Sequence, residues 1–194
     1  KKLNQLFDHF KIYGMKQRWL LHNILGVGII VLIGVCAYSL IITNHYYSNV
    51  LSGLDTRAKS AASFFENYIA KSYAEYYDSA YRFIETFEDS DIIELQFINS
   101  SGKMMISSNN ITGGTALDGG DINMALSTGL VASWNGKNSM THERVMAVSA
   151  PIIYSNGTII GVMRYVTSLR VVNRNVLINV FAAVGVGLMI MALM

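Results

Sequence analysis

Two stretches of the chain, Ile24 to Ile42 and Val176 to Met194, run for 19 residues each without a charged side chain. At about 1.5 Å per residue, such a run in helical form spans the roughly 30 Å hydrocarbon core of a bilayer. Both are expected to be transmembrane helices. The first is too long for the apolar core of a signal peptide, and Thr43-Asn44-His45-Tyr46-Tyr47 follows it, an aromatic patch suited to a membrane interface. It is therefore read as an uncleaved anchor, with Trp19 at its other interface.

Between these blocks the hydrophobic period changes twice. From Asn49 to Phe87 apolar or small residues recur in steps of three and four, at Leu51, Leu54, Ala58, Ala61, Phe65, Tyr68, Ser72, Tyr76, Ala80, Phe83 and Phe87. That spacing predicts one long helix, or two with a break near Ala70 to Tyr73, ending at Glu88-Asp89-Ser90. Period two then takes over: Ile93, Leu95 and Phe97 alternate with Glu94 and Gln96, the turn Asn99-Ser100-Ser101-Gly102 follows, and Lys103 to Ser107 is extended again. Residues 109–120 read as a crossing loop, Asp121 as the N-cap of a short helix from Ile122 to Ser127, and Gly129 as its stop.

Further strands are expected at Val131 to Trp134, Glu143 to Ile153 and Thr158 to Ser168. Asn135-Gly136-Lys137-Asn138 reads as the turn between the first two, and Asn156-Gly157 as a type I′ turn between the last two. Pro151, which has no N–H, marks an edge or a bulge. The order implies an α+β fold, an antiparallel sheet with the long helix packed on one face.

Composition agrees with a membrane chain, since 52% hydrophobic and 14% charged residues leave few charges to cover a water-facing surface. Residues 1–20 hold Lys1, Lys2, Lys11, Lys16 and Arg18 against Asp8, whereas 43–175 holds ten basic and twelve acidic residues. Positive flanks stay inside, so the N-terminus is expected in the cytoplasm and the middle of the chain outside it. Arg170 and Arg174 beside the second span argue weakly the other way. The net charge of +2 makes no case for nucleic acid. Cys36 is the single cysteine and lies in the first span, which leaves no disulfide framework or thiolate metal site. A start at Lys and an end within an apolar run suggest a piece of a longer protein.

The run Ile92-Ile93-Glu94-Leu95-Gln96-Phe97-Ile98-Asn99-Ser100-Ser101-Gly102-Lys103-Met104 resembles the first hairpin of extracytoplasmic PAS-like domains of the single Cache type. Ala150-Pro151-Ile152-Ile153-Tyr154-Ser155-Asn156-Gly157-Thr158-Ile159-Ile160-Gly161-Val162 resembles their closing hairpin. With the two spans, the resemblance is to the input half of bacterial two-component sensor histidine kinases. It implies a cytoplasmic segment 1–22, a crossing at 23–43, a long outside helix at 44–90, a PAS-like sheet domain at 91–172 and a second crossing at 173–194. Chemoreceptors and cyclic-dinucleotide enzymes carry similar inputs, and a membrane-anchored interaction domain that senses nothing is a third reading.

No phosphoacceptor-histidine segment or glycine-rich ATP box occurs in the sequence, so no residue is assigned a catalytic role and no cofactor is expected. His9, His22, His45 and His142 show no metal-ligand spacing. The acids of Glu85-Thr86-Phe87-Glu88-Asp89-Ser90-Asp91 crowd a helix end, read either as a cation site or, preferably, as a solvated terminus. Arg144 and Arg164 lie within strands, where a guanidinium needs water or an anion. Arg164 shares a face with Ile160, Val162 and Val166. Because the resemblance implies small anions bound on the sheet face away from the long helix, Arg144 and Arg164, with Ser149 and Tyr165 as weaker neighbours, form the candidate ligand set.

In the second span Ala183 and Gly187 stand four apart, a spacing that permits close helix contact. The sequons at Asn99, Asn110 and Asn156 read as turn residues. The expected partners are the lipid bilayer, a second copy paired along the seam with its small residues Ala58, Ala61 and Ala62, and an unidentified small molecule, ion or protein signal met outside the cell membrane by residues 44–172.

Overall fold

The computed structural model describes residues 15–68, 73–109, 114, 117, 119–138, 141–154 and 156–192. Its elements, in chain order, are α1 (Met15–Tyr68), α2 (Tyr73–Glu85), β1 (Ile93–Asn99), β2 (Met104–Ser107), α3 (Gly120–Thr128), β3 (Ala132–Lys137), β4 (Arg144–Ile153), β5 (Ile159–Ser168) and α4 (Leu169–Ala192). The chain divides into two compact units, residues 1–44 with 176–194, and residues 45–175. The expected cytoplasmic residues 1–14, most of the expected break at 70–73 and much of the loop at 109–120 lie outside the described residues.

In the first unit the side chains of Ile30, Leu40, Phe181 and Met189 are exposed, each by 65% or more. Helices α1 and α4 are both long and apolar enough to cross a membrane. Gly187 lies against Val31 and Val35: a Cβ added to it would stand 2.8 Å from Val31 Cγ1. Glycine is therefore what lets these two helices approach here.

The second unit is a five-stranded antiparallel sheet in the order β2-β1-β5-β4-β3, with α1, α2 and the start of α4 on one face and α3 on the other. Period-two alternation puts Leu95 and Phe97 of β1, Met146, Val148, Ala150 and Ile152 of β4, and Met163 and Tyr165 of β5 on the first of these faces. Leu54, Ala58, Ala61, Ala62 and Phe65 of α1 pack against them, with Ala80 of α2 and Leu169 and Val172 of α4. The small residues of the α1 seam thus let the helix backbone lie close to the sheet. They are buried within the chain, so a second copy meeting α1 would have to use another face of that helix.

Hydrogen bonds also join α1 to α4 at the base of this unit. Asn175 Nδ2 donates to the Tyr46 hydroxyl at 2.8 Å, and the Tyr47 hydroxyl donates to Asn173 Oδ1.

Three local expectations change. Asn135-Gly136-Lys137 is strand rather than turn, and the reversal falls at 138–142, where Asn138 N donates to Glu143 O and His142 takes a φ of 57°. The reason is the Trp134 indole, which lies across Gly136; a Cβ there would sit 2.0 Å from the ring. Asp121 is not the N-cap of α3; that position belongs to Gly119, without a side-chain cap bond. Among the described residues between β4 and β5, Gly157 is left-handed, at φ 82°, and Asn156 is not, so Asn156-Gly157 is not the centre of a type I′ turn; Asn156 Oδ1 instead accepts from Thr158 N. Gly129 ends α3 in the left-handed conformation, as its position suggests. Pro151 lies past the last β3 pairing, Ala132 with Ser149, and just before an irregularity between Ile152 and Ile153.

Candidate functional site

The sheet face away from the long helix carries a row of polar side chains in register. Ser107 of β2 stands opposite Gln96 of β1, Gln96 opposite Arg164 of β5, Arg164 opposite Ser149 of β4, and Ser149 opposite Ala132 of β3. Side chains paired across an antiparallel ladder point to the same face, so four strands deliver their polar groups to one line. Ser107, Gln96, Arg164 and Ser149 are all buried, none more than 3% exposed. The cover is α3, whose Ile122 and Ala125 pack on Ile98, Ala132 and Val162.

Helix α3 also supplies the counter-charge. Asp121, 1% exposed in its first turn, accepts Arg164 Nε at 2.7 Å on Oδ2 and Arg164 Nη2 at 3.1 Å on Oδ1. Ser149 Oγ donates to the same Oδ2 at 2.7 Å. Arg164 Nη1 donates to Gln96 Oε1 at 3.3 Å, Gln96 Nε2 to Glu94 Oε1 at 2.8 Å, and Ser107 Oγ to Glu94 Oε1 at 2.6 Å. The Trp134 ring centroid lies 5.5 Å from Arg164 Cζ, within cation–π range. Among the described residues no buried side-chain polar atom lacks a partner. The carboxylate is favoured further by the N-terminal end of the α3 dipole.

The structure brings together two of the four residues of the candidate ligand set. Arg164 and Ser149 are cross-strand partners, and Asp121 bridges them. Arg144 is exposed at the first position of β4, five residues from Ser149, or about 17 Å along an extended strand. Tyr165, adjacent to Arg164, faces the other way, into the helix-covered core, with its ring edge-on to Phe87 at 5.9 Å. Gln96 and Asp121 were not in the expected set. Gln96 reads as the outward member of an alternating strand, and Asp121 as a cap. The two glycine turns set Gln96 near Ser107 and Arg164 near Ser149, but the β1–β5 pairing that puts Gln96 opposite Arg164 and the approach of Asp121 from α3 are contacts between distant segments that no local pattern signals.

Burial pushes the Tyr165 hydroxyl up to about 12 from its ordinary 10.0, with the Arg57 charge pulling the other way. A raised folded-state value means that the stability tied to the neutral phenol is complete below pH 10 and is lost as the pH climbs towards 12. Between pH 9 and pH 11.5 the wild type is expected to lose about 2 kcal/mol more unfolding free energy than Tyr165→Phe, measured by urea denaturation. Equal losses would contradict this placement.

A concavity of about 230 Å³ lies on the helix side, between α1, the start of β1 and the first turns of α4. Val50, Leu54, Ile93 and Val172 make its walls apolar, and Arg57 stands at its edge. Arg57 Nη1 is bonded to Asp89 Oδ2 at 2.5 Å. Asp89 of the acidic segment is thereby committed to an ion pair.

No family model matches the sequence, and no curated protein does. Solved structures do. A domain of a sensory box/GGDEF family protein from Vibrio parahaemolyticus superposes with a TM-score of 0.50 at 13% identity, over 74% of this chain and 62% of that one. The extracellular domain of a histidine kinase superposes with a TM-score of 0.50 at 10% identity, over 77% of this chain and 61% of that one. The chain shares the PAS-like fold of those two domains. The chain spans about three-fifths of the length of those solved domains.

Proposed function

We propose that this chain is the signal-sensing and transmembrane input module of a sensor histidine kinase, with residues 44–172 outside the cytoplasm and crossings at 23–43 and 173–194. The observation that carries the reading is the fold, a long helix on a five-stranded antiparallel sheet, shared with the extracellular domain of a histidine kinase. The two helices long and apolar enough to cross a membrane support it. A second reading, an input for a GGDEF-type output, is favoured by the equally similar structure from that family.

Such a module works only if a stimulus binds two arrangements of the helices with different free energy, since equal binding shifts nothing. A change in the sheet would reach both helices through their packing on it, and the Tyr46–Asn175 and Tyr47–Asn173 bonds tie the two helices to each other. A symmetric pair of chains, meeting along a face of α1 other than the buried seam, belongs to the same proposal.

Sensing is tested by a thermal-shift screen of the detergent-solubilised chain against small metabolites and divalent cations. At a hundredfold excess over its dissociation constant a true ligand adds about 2.7 kcal/mol. At least one compound is expected to raise the melting temperature by several degrees. A flat screen at concentrations well above any physiological level would remove direct small-molecule sensing.

A further inference from the structure

The contact between Arg164 and Asp121 has the form of ligand recognition inside one chain. The arginine fork meets both carboxylate oxygens, a hydroxyl from Ser149 completes the cradle, and Gln96 holds the remaining guanidinium nitrogen. The cradle comes from the sheet, whereas the carboxylate comes from α3, 43 residues away in sequence. Stability alone does not account for the pair, because a buried ion pair is commonly no more stable than well-packed apolar residues of the same volume. The site is also sealed: a Cβ on Gly119 would stand 2.5 Å from Asp121 Oδ1 and 2.8 Å from Arg164 Nη2, so the chain entering α3 leaves no room for a second anion.

We propose that the Asp121 carboxylate is an internal ligand, filling an anion site made by Arg164 and Ser149 with Gln96 holding the guanidinium in place, and that a small monocarboxylate binds this site only where Asp121 is removed or displaced. A tethered carboxylate acts at a high effective concentration, so an external one has to outcompete it. An anion that did so would break the polar tie between α3 and the sheet and leave only the apolar contact of Ile122 and Ala125. The contact is thus a latch between α3 and the strands. It is independent of which output the chain controls, and its failure would leave the sensory reading to be decided by the ligand screen.

The test uses the full chain in detergent as wild type, Asp121→Ala and Asp121→Ala/Arg164→Met, titrated with sodium formate against sodium chloride at matched ionic strength. Melting temperature and the emission of Trp134, in a Trp19→Phe background, are the readouts. Asp121→Ala should recover several degrees of melting temperature in formate, with a dissociation constant in the millimolar range, at least tenfold tighter than any effect on the wild type. If Asp121→Ala is unfolded in chloride, formate should restore its folding. The double variant, which has no guanidinium, should ignore formate. An Asp121→Ala chain that gains nothing from formate overturns the proposal, as does a wild type that binds formate equally well.

Discussion

Arg164→Met is expected to destabilise the sheet unit by about 3–5 kcal/mol, the range for stripping one partner from a buried ion pair. Among the described residues, the substitution leaves the Asp121 carboxylate with Ser149 as its side-chain donor in a site that is 1% exposed. Gln96 also loses its contact with the guanidinium. In a unit of this size the loss corresponds to roughly 10–20 °C in melting temperature. The cost belongs to the orphaned charge rather than to lost volume, because methionine fills much of the space left by arginine. Adding Asp121→Ala to Arg164→Met should therefore return a good part of the stability, a strongly non-additive result that a double-mutant cycle reads directly. Additive losses in urea or thermal unfolding would mean that the two side chains are not coupled as the 2.7 and 3.1 Å contacts imply.

Phe65→Ala is the second large effect, again about 3–5 kcal/mol, through a different cause. Phe65 is fully buried at the centre of the contact between helix and sheet, with ring centroids of Phe97 and Phe83 at 5.2 and 5.5 Å, both edge-on. Its removal leaves a cavity that Ala61 and Ala62, already small and buried, cannot fill. Phe64, the neighbouring residue, is 43% exposed, and its truncation should cost well under half as much. Comparable losses at the two positions, by thermal unfolding in detergent, would contradict the facing of α1 towards the sheet.

Much of this arrangement is legible in the sequence, because the core is periodic. The step of three and four from Leu54 to Phe65 names the buried stripe of α1, the step of two from Ile93 to Phe97 names β1, and the apolar run from Val145 to Ile153, buried on both faces, reads as a strand. Glycine at 102, 129 and 157 marks reversals that the backbone makes at positive φ. What local pattern cannot show is contact across the fold. Gly136 looks like a turn residue until it is seen paired with Val145 in the β3–β4 ladder. Asp121 looks like a cap until Arg164 is seen drawing its carboxylate inward. Arg164 and Ser149 share a face by register, and the same parity argument sends Tyr165 to the opposite face, a step that sequence alone already permitted.

The proposed topology puts the sheet unit outside the cytoplasm, between two membrane crossings. Lys137 is exposed at the end of β3, and Cys36 is the single cysteine of the chain. The chain carrying Cys36→Ser and Lys137→Cys, expressed in intact cells, should react with a membrane-impermeant maleimide to the same extent before and after permeabilisation. Labelling that appears only once the cells are opened would place the sheet inside and contradict the account.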